Sequence, residues 1–374
     1  MSSLYLHIPF CKQACNYCNF HFSTQKDYRK EMVISMVKEM QNRSNELQDT
    51  YLTSVYFGGG TPSILSDDEM DILWNGITKY FTINTDAEVT IEANPDDITK
   101  EKLNYYKQTP INRFSMGVQS FFDEDLKWMN RVHKGKDAEN AIKKIQDTGF
   151  DKITIDLIYG LPTLTNKNWE QNLTKAIALN LLHISAYCLT IEPKTALFQQ
   201  IKKGKLTQPD EEKTIAQFEY MVSYLESHNF EQYEISNFAK NKQYALHNTN
   251  YWLNKPYLGI GPSAHSFNGN TRSWNFSNNH KYMLAVNAGK DAYETEHLTD
   301  ENKINEYIMT GLRTIWGCNW EEIENRFGTS KREILKQKIQ HFIANELIYS
   351  NDERFTLTRK GRILADGIAS DLFF

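Results

Sequence analysis

Short apolar runs alternate with longer amphipathic stretches along the first two-thirds of this chain. The runs, rich in β-branched and aromatic residues, predict strands at Leu4–Ile8, Ser54–Phe57, Glu88–Glu92, Arg113–Val118, Ile153–Ile158 and His183–Leu189. The stretches between them predict helices, most clearly Tyr28–Leu47, then Asp67–Phe81, Ala138–Thr148 and Asn168–Leu179. Strand–helix alternation makes parallel β/α units. Six strands fall short of the eight of a closed TIM barrel, so the expected fold is α/β: a partial, open (β/α)6 TIM-like barrel.

Polar residues interrupt the strand pattern in one place, at or near the strands' C-terminal ends. Gly58-Gly59-Gly60-Thr61 follows the second strand, Glu92 closes the third, Gln119 ends the fourth and Asp156 sits inside the fifth. Parallel strands are largely buried, so a carboxylate on one needs a partner or a ligand. Glu92 and Asp156 could pair with Arg113 or Lys152. Taken together, these positions mark the mouth of one site, because barrel sites form where the strands end.

After about residue 228 the pattern changes. Asn229–Phe238 predicts one more strand, and an irregular aromatic, Asn-rich stretch runs to about residue 295. It carries His247-Asn-Thr-Asn-Tyr251-Trp252 and Gly259-Ile-Gly261-Pro-Ser-Ala-His265, whose Gly-X-Gly is too short for a dinucleotide fingerprint. Helices return at Asn302–Trp316, Trp320–Phe327 and Lys331–Glu346. A two-strand wing, Leu347–Ser350 and Phe355–Leu357, precedes a last helix near Thr358, giving a mostly helical, winged-helix-like C-terminal domain. The expected domains are residues 1–228, 229–297 and 298–374.

The chain of 374 residues carries 42 basic and 47 acidic side chains, a net charge of −5, which argues against nucleic-acid binding. No apolar run reaches the length of a membrane span, while contact with a membrane surface stays open. There is no signal-peptide pattern, and few, clustered cysteines point to the cytoplasm.

Three of the five cysteines fall in one octet, Cys11-Lys-Gln-Ala-Cys15-Asn-Tyr-Cys18, directly after the first strand. Three thiols cannot complete a disulfide framework. They can hold a cubic 4Fe–4S cluster whose fourth iron lacks a protein ligand and can bind a small molecule, as S-adenosylmethionine (SAM) chemistry requires. A zinc site using the same thiols and His21 is the alternative. Cys188 and Cys318 are expected to be buried apolar thiols.

The octet with its leading His7-Ile-Pro-Phe, Gly58-Gly59-Gly60-Thr61-Pro62, Met116-Gly117-Val118-Gln119-Ser120 and Asp156-Leu-Ile-Tyr-Gly160-Leu-Pro162 resemble the radical SAM family of oxygen-independent coproporphyrinogen III oxidase, over essentially the whole chain. Two features resemble that family's heme chaperone branch. Phe20 stands where the oxidase has a fourth cysteine, and His247-Asn248-X-X-Tyr251-Trp252 matches the chaperone motif. The resemblance implies that Cys11, Cys15 and Cys18 hold the cluster. It implies SAM contacts from Tyr5, Tyr17, Gly59, Gly60, Thr61, Glu92, Gln119, Arg131 and Asp156. Arg131 falls in a helix-like segment, Met129–Arg131. Heme and heme-accepting apoproteins are the implied partners, with oxidative decarboxylation of coproporphyrinogen III as the alternative activity. His247 reads either as a ligand of heme iron or as a hydrogen-bonded residue that holds the aromatic segment in place.

Overall fold

In the computed structural model, which describes residues 2–47 and 51–374, six strands lie side by side in chain order. They are β1 (Ser2–Ile8), β2 (Tyr51–Gly59), β3 (Thr82–Ala93), β4 (Arg113–Gln119), β5 (Lys152–Tyr159) and β6 (His183–Cys188). Each pairs in parallel with the next, and the sheet stays open, as the strand count predicts.

Successive side chains on a strand face opposite sides. Leu4, Leu6 and Ile8, Val55 and Phe57, Phe114 and Met116 pack with helix residues such as Met36, Leu73 and Ile142 in the main core. The alternate positions are polar or aromatic: Ser3, Tyr5 and His7; Ser54 and Tyr56; Glu88, Thr90 and Glu92; Thr154 and Asp156. The concave face of the half-barrel is therefore a polar cup rather than a packed apolar core.

The sheet continues beyond these six strands to twelve. On the β6 side, β7 (Glu231–Glu234) and β8 (Asn237–Ala239) form an antiparallel pair, where the sequence suggests a single strand over Asn229–Phe238. On the β1 side, β9 (Tyr257–Ile260) pairs in parallel with β1, and β10 (His265–Phe267), β11 (Thr271–Asn275) and β12 (Tyr293–His297) follow antiparallel. The stretch that reads as irregular is thus mostly sheet. β12, Tyr-Glu-Thr-Glu-His, is a charged edge strand with no apolar alternation to betray it, as suits an edge that must not recruit another chain. A buried Arg43 joins this extension to the helix Arg29–Arg43. Its guanidinium donates to Glu39 (2.9 Å), Asn275 (3.1 Å) and Ser273 (3.1 Å), so the buried charge is paired and hydrogen-bonded.

Beyond residue 298 a second core forms around Ile304, Ile308, Leu335, Phe355 and Ile368. The helix Trp320–Phe327 matches its expected bounds, whereas Lys331–Glu346 resolves into Thr329–Lys338 and Gln340–Ala344. The wing is a three-stranded sheet, with β13 (Cys318–Asn319) and β14 (Ile348–Ser350) flanking β15 (Arg354–Leu357). This unit grips both flanks of the large sheet. Glu306 pairs with Arg272 of β11 (2.8 Å), while Arg313 pairs with Glu234 of β7 (3.2 Å) and Arg362 donates to Gln232 (2.6 Å).

A half-barrel mouth closed by the cysteine loop

The cysteine loop leaves the end of β1 and returns on itself. Cys11 N–H donates to Ser23 O (3.0 Å) and Ser23 N–H to Pro9 O (2.8 Å), closing the loop at its base. Phe10, fully buried, anchors that base with its ring against Tyr28. The tip is pinned across the mouth: Asn16 N–H donates to Met129 O (3.1 Å), Asn130 Nδ2 to Ala14 O (2.7 Å), and Lys12 pairs with Asp96 (2.7 Å).

Two of the sulfurs belong to one hydrogen-bonded circuit. Thr61 Oγ1 donates to Cys11 Sγ (3.5 Å), and Asn94 Nδ2 donates to Thr61 (3.2 Å). Arg131 donates through Nη2 to Asn94 Oδ1 (2.6 Å) and through Nη1 to Cys15 Sγ (3.4 Å). A permanent positive charge therefore stands beside one sulfur. Burial, with the neighbouring sulfurs adding to it, pushes the Cys11 and Cys18 thiols up to about 11. Cys11 and Cys18 therefore hold their protons unaided; a cationic centre beside them reverses that preference. Among the described residues no three His, Cys, Asp or Glu side chains converge on the position of a single ion. His21, the proposed fourth zinc ligand, has its Nε2 on Asn279 Oδ1 (2.7 Å). The donor set suits a group that spreads the thiolates around its corners better than it suits one zinc ion.

Behind the loop the expected SAM-binding residues come together. Gly59 N–H (3.2 Å) and the Tyr56 hydroxyl (2.9 Å) both donate to Glu92. Burial still raises Glu92 to about 8, with Asp156 adding to the rise. Asp156, also raised by burial, reaches about 7 against the opposing pull of Ser185 and Arg131. Two carboxyls whose protons leave near neutrality would ionise fully beside a bound cation. Gly60 has no room for a side chain, since a Cβ there would lie 2.6 Å from Phe10 O; Gly59, at φ +108°, would strike the His7 ring. Gln119 ends β4 at φ +65°, and its amide and the Arg131 guanidinium both cover Gly117, where a Cβ would lie 3.1 Å and 3.2 Å from them. Tyr17 lies among Cys15, Cys18, Arg131 and Asp156, its hydroxyl held above the usual range by burial; Tyr5 is likewise raised by burial and by Glu92.

Two expectations need correction. Met129–Arg131 is not helical: the helix Asp123–Trp128 ends before it, and Asn130 turns the chain at φ +60° so that Arg131 points back into the mouth. Cys188 is exposed at the end of β6; Cys318 is buried as expected. Asn94, just past the end of β3 and two residues after Glu92, is absent from the sequence reading, and His7 appears there only within a motif, without a role of its own.

His247 lies on a helix, Leu246–Trp252, that plugs the floor of the cup. Glu88 accepts the N–H groups of Leu246 (3.0 Å) and His247 (2.9 Å), capping that helix. The imidazole is 1% exposed and stacks on Tyr56 at 4.9 Å between centroids. Burial lowers it to about 3, so it is neutral. The Tyr251 hydroxyl meets Nε2 (2.9 Å) and Nδ1 meets Ser54 Oγ (2.8 Å), so neither nitrogen is free for iron. This geometry favours the positioning reading over ligation. His247→Ala should cost about 2–4 kcal/mol by leaving a cavity and an unpaired Tyr251 hydroxyl, while Ser54 keeps its bond to Ser3. A denaturant melt checks this: a loss below about 0.5 kcal/mol, the scale of a surface substitution, means that His247 does not hold the floor.

Above the helix, Tyr251 and Trp252 line a cavity of about 690 Å³, within the usual range of small-molecule sites. Its walls come from Asn19–His21 of the cysteine loop, from β9–β11, and from Glu306, Met309 and Thr310 of the C-terminal unit. Phe20, 72% exposed, stands at its edge.

The chain matches the profile of the Radical SAM superfamily over residues 5–176 and that of the HemN C-terminal domain over residues 298–364. The heme chaperone HemW of Bacillus subtilis (strain 168) is 34% identical over 371 residues, covering 98% of each chain. That of Lactococcus lactis is 33% identical over 368 residues, 98% of this chain and 96% of its own. Among solved structures, coproporphyrinogen III oxidase (HemN) from Escherichia coli, a radical SAM enzyme, aligns over all of this chain and 90% of its own with a TM-score of 0.87. At 23% identity that likeness is one of fold.

Proposed function

The chain belongs to the heme chaperone HemW family of the radical SAM superfamily, and on that premise we propose that it binds heme and passes it to apoproteins, with an iron–sulfur cluster and SAM controlling its state. The observation that carries this reading is the aromatic cavity built partly from the residues that follow Cys18. A planar apolar ring system suits walls of Tyr251, Trp252, Tyr257 and Phe267.

Cys11, Cys15 and Cys18 would hold a 4Fe–4S cluster, which supplies an iron open to SAM. The chain's own residues prepare that place. Thr61 and Arg131 direct donors at two sulfurs, and Arg131 keeps positive charge beside Cys15. Glu92 and Asp156 would meet the cationic groups of SAM, and Gly59 and Gly60 would let the main chain come close. Tyr5 and Tyr17 flank the loop as walls. His247 keeps Tyr251 in place under the cavity.

Parallel assays on anaerobically reconstituted protein test the reading. The expected result is about one heme per chain and negligible conversion of coproporphyrinogen III, even with SAM and a reductant. Steady conversion would replace the chaperone with the oxidase, whose fold this chain shares.

A further inference from the structure

Tyr56 stands between the two places this chain prepares for small molecules. Its hydroxyl donates to Glu92 (2.9 Å), one of the two carboxyls at the half-barrel mouth. Its ring stacks on the imidazole of His247, 4.9 Å between centroids and 27° between planes. Tyr5, a wall of the aromatic cavity, stacks with it as well, at 6.0 Å and 29°. The His247 Nε2 in turn meets the hydroxyl of Tyr251 (2.9 Å), another wall of that cavity. One side chain therefore touches the mouth through its hydroxyl and the supports of the cavity through its ring.

The sequence makes room for this junction at Gly58. A Cβ there would lie 2.8 Å from the Tyr56 ring, 2.9 Å from the Tyr5 ring and 3.0 Å from Glu92, so a larger residue would push the three apart. Tyr56 faces the cup because it alternates with Val55 and Phe57, which pack in the main core. Burial and Glu92 hold its hydroxyl far above the usual range, so it stays a donor. The strength of its bond depends on what Glu92 carries. Against the protonated acid it is an ordinary hydrogen bond. Against the carboxylate, which a cation on Glu92 demands, it is charge-assisted and roughly twice as strong.

We propose that Tyr56 is a positioning residue shared by both sites, through which bound SAM tightens the cavity's hold on heme. The proposal rests on the chaperone reading above and adds a regulation to it. With SAM on Glu92, the stronger bond fixes the Tyr56 hydroxyl, and the ring fixed with it keeps His247 and Tyr5 in place. Side chains ordered in advance cost less to order when heme enters, so the second ligand binds more tightly. The coupling is reciprocal: heme tightens SAM by the same factor. Loss of SAM then loosens the grip on heme, which delivery to an apoprotein requires.

The test is heme titrated into the full, cluster-loaded chain with and without saturating SAM, and SAM titrated with and without heme. The cluster is kept oxidised, so SAM stays intact. In wild-type protein each ligand should raise the affinity for the other by about fivefold or more. Tyr56→Phe keeps the ring and its stacking but lacks the hydroxyl, and should bring both factors below about twofold. A Tyr56 that served packing alone would lower the variant's melting temperature and leave both factors at their wild-type values. Equal heme affinity with and without SAM in the wild-type chain, or factors that survive in Tyr56→Phe, overturns the coupling and leaves the chaperone reading standing. Failure of the wild-type chain to bind heme overturns that reading, and the coupling with it.

Discussion

Cys15→Ala should strip the anaerobically purified protein of its brown colour and take its iron from about four per chain to near zero. A cubane held by three thiolates keeps one iron open; with two it loses a second corner. Cys15 also has an Arg131 hydrogen bond on its sulfur, so the substitution removes the Nη1 partner of a buried guanidinium whose Nε is already unpaired and which keeps Asn94 and Gly117 through Nη2. Cys188→Ala is the control, since that thiol is exposed at the far strand and should leave colour and iron unchanged. Wild-type protein that is colourless and holds one zinc per chain would refute the cluster and revive the zinc site.

The second large effect is in pH. SAM affinity should rise by roughly ten- to hundredfold between pH 6 and pH 8.5, as one carboxyl or both lose a proton on binding. The sign follows from the groups themselves. Without ligand, Asp156 and Glu92 stay protonated up to about 7 and about 8. A cation prefers them ionised, so below those values binding must expel a proton. Glu92→Gln and Asp156→Asn should each weaken binding and flatten the profile while leaving iron content intact. The same shifts act on stability. Both carboxyls hold protons more tightly folded than unfolded, so the ligand-free fold loses stability as pH rises from about 4 to about 8. SAM should offset that loss. Equal affinity across this range, in wild type and both variants, would remove the two carboxylates from the SAM site.

The parallel half-barrel was legible because its strands are apolar on one face and its helices have a regular stripe. The cysteine octet and the polar residues near strand ends located the mouth. What was missed had weaker local signals or signals of another kind. The helix Glu211–Ser227 carries Phe218, Met221, Val222 and Leu225 at helical spacing behind an Asp210 cap, and should have been read. The strands β10 to β12 could not be, because short polar strands are specified by their neighbours rather than by their own pattern. His247 stood out in the sequence for its motif, and in the fold both of its ring nitrogens meet hydroxyls, those of Tyr251 and Ser54.

The position of β1 has a consequence for how this chain is made. Its two neighbours are β2, some fifty residues downstream, and β9, some two hundred and fifty. During synthesis at ~5–20 residues per second, one edge of the first strand therefore waits roughly tens of seconds for its partner. The cysteine loop hangs from the end of that strand. An unpaired edge beside three reactive thiols is a hazard to a nascent chain, open both to wrong pairing and to oxidation. The ribosome thus delivers the cysteine loop long before the strand that closes the second edge of β1, and whatever guards a newborn chain must cover that interval.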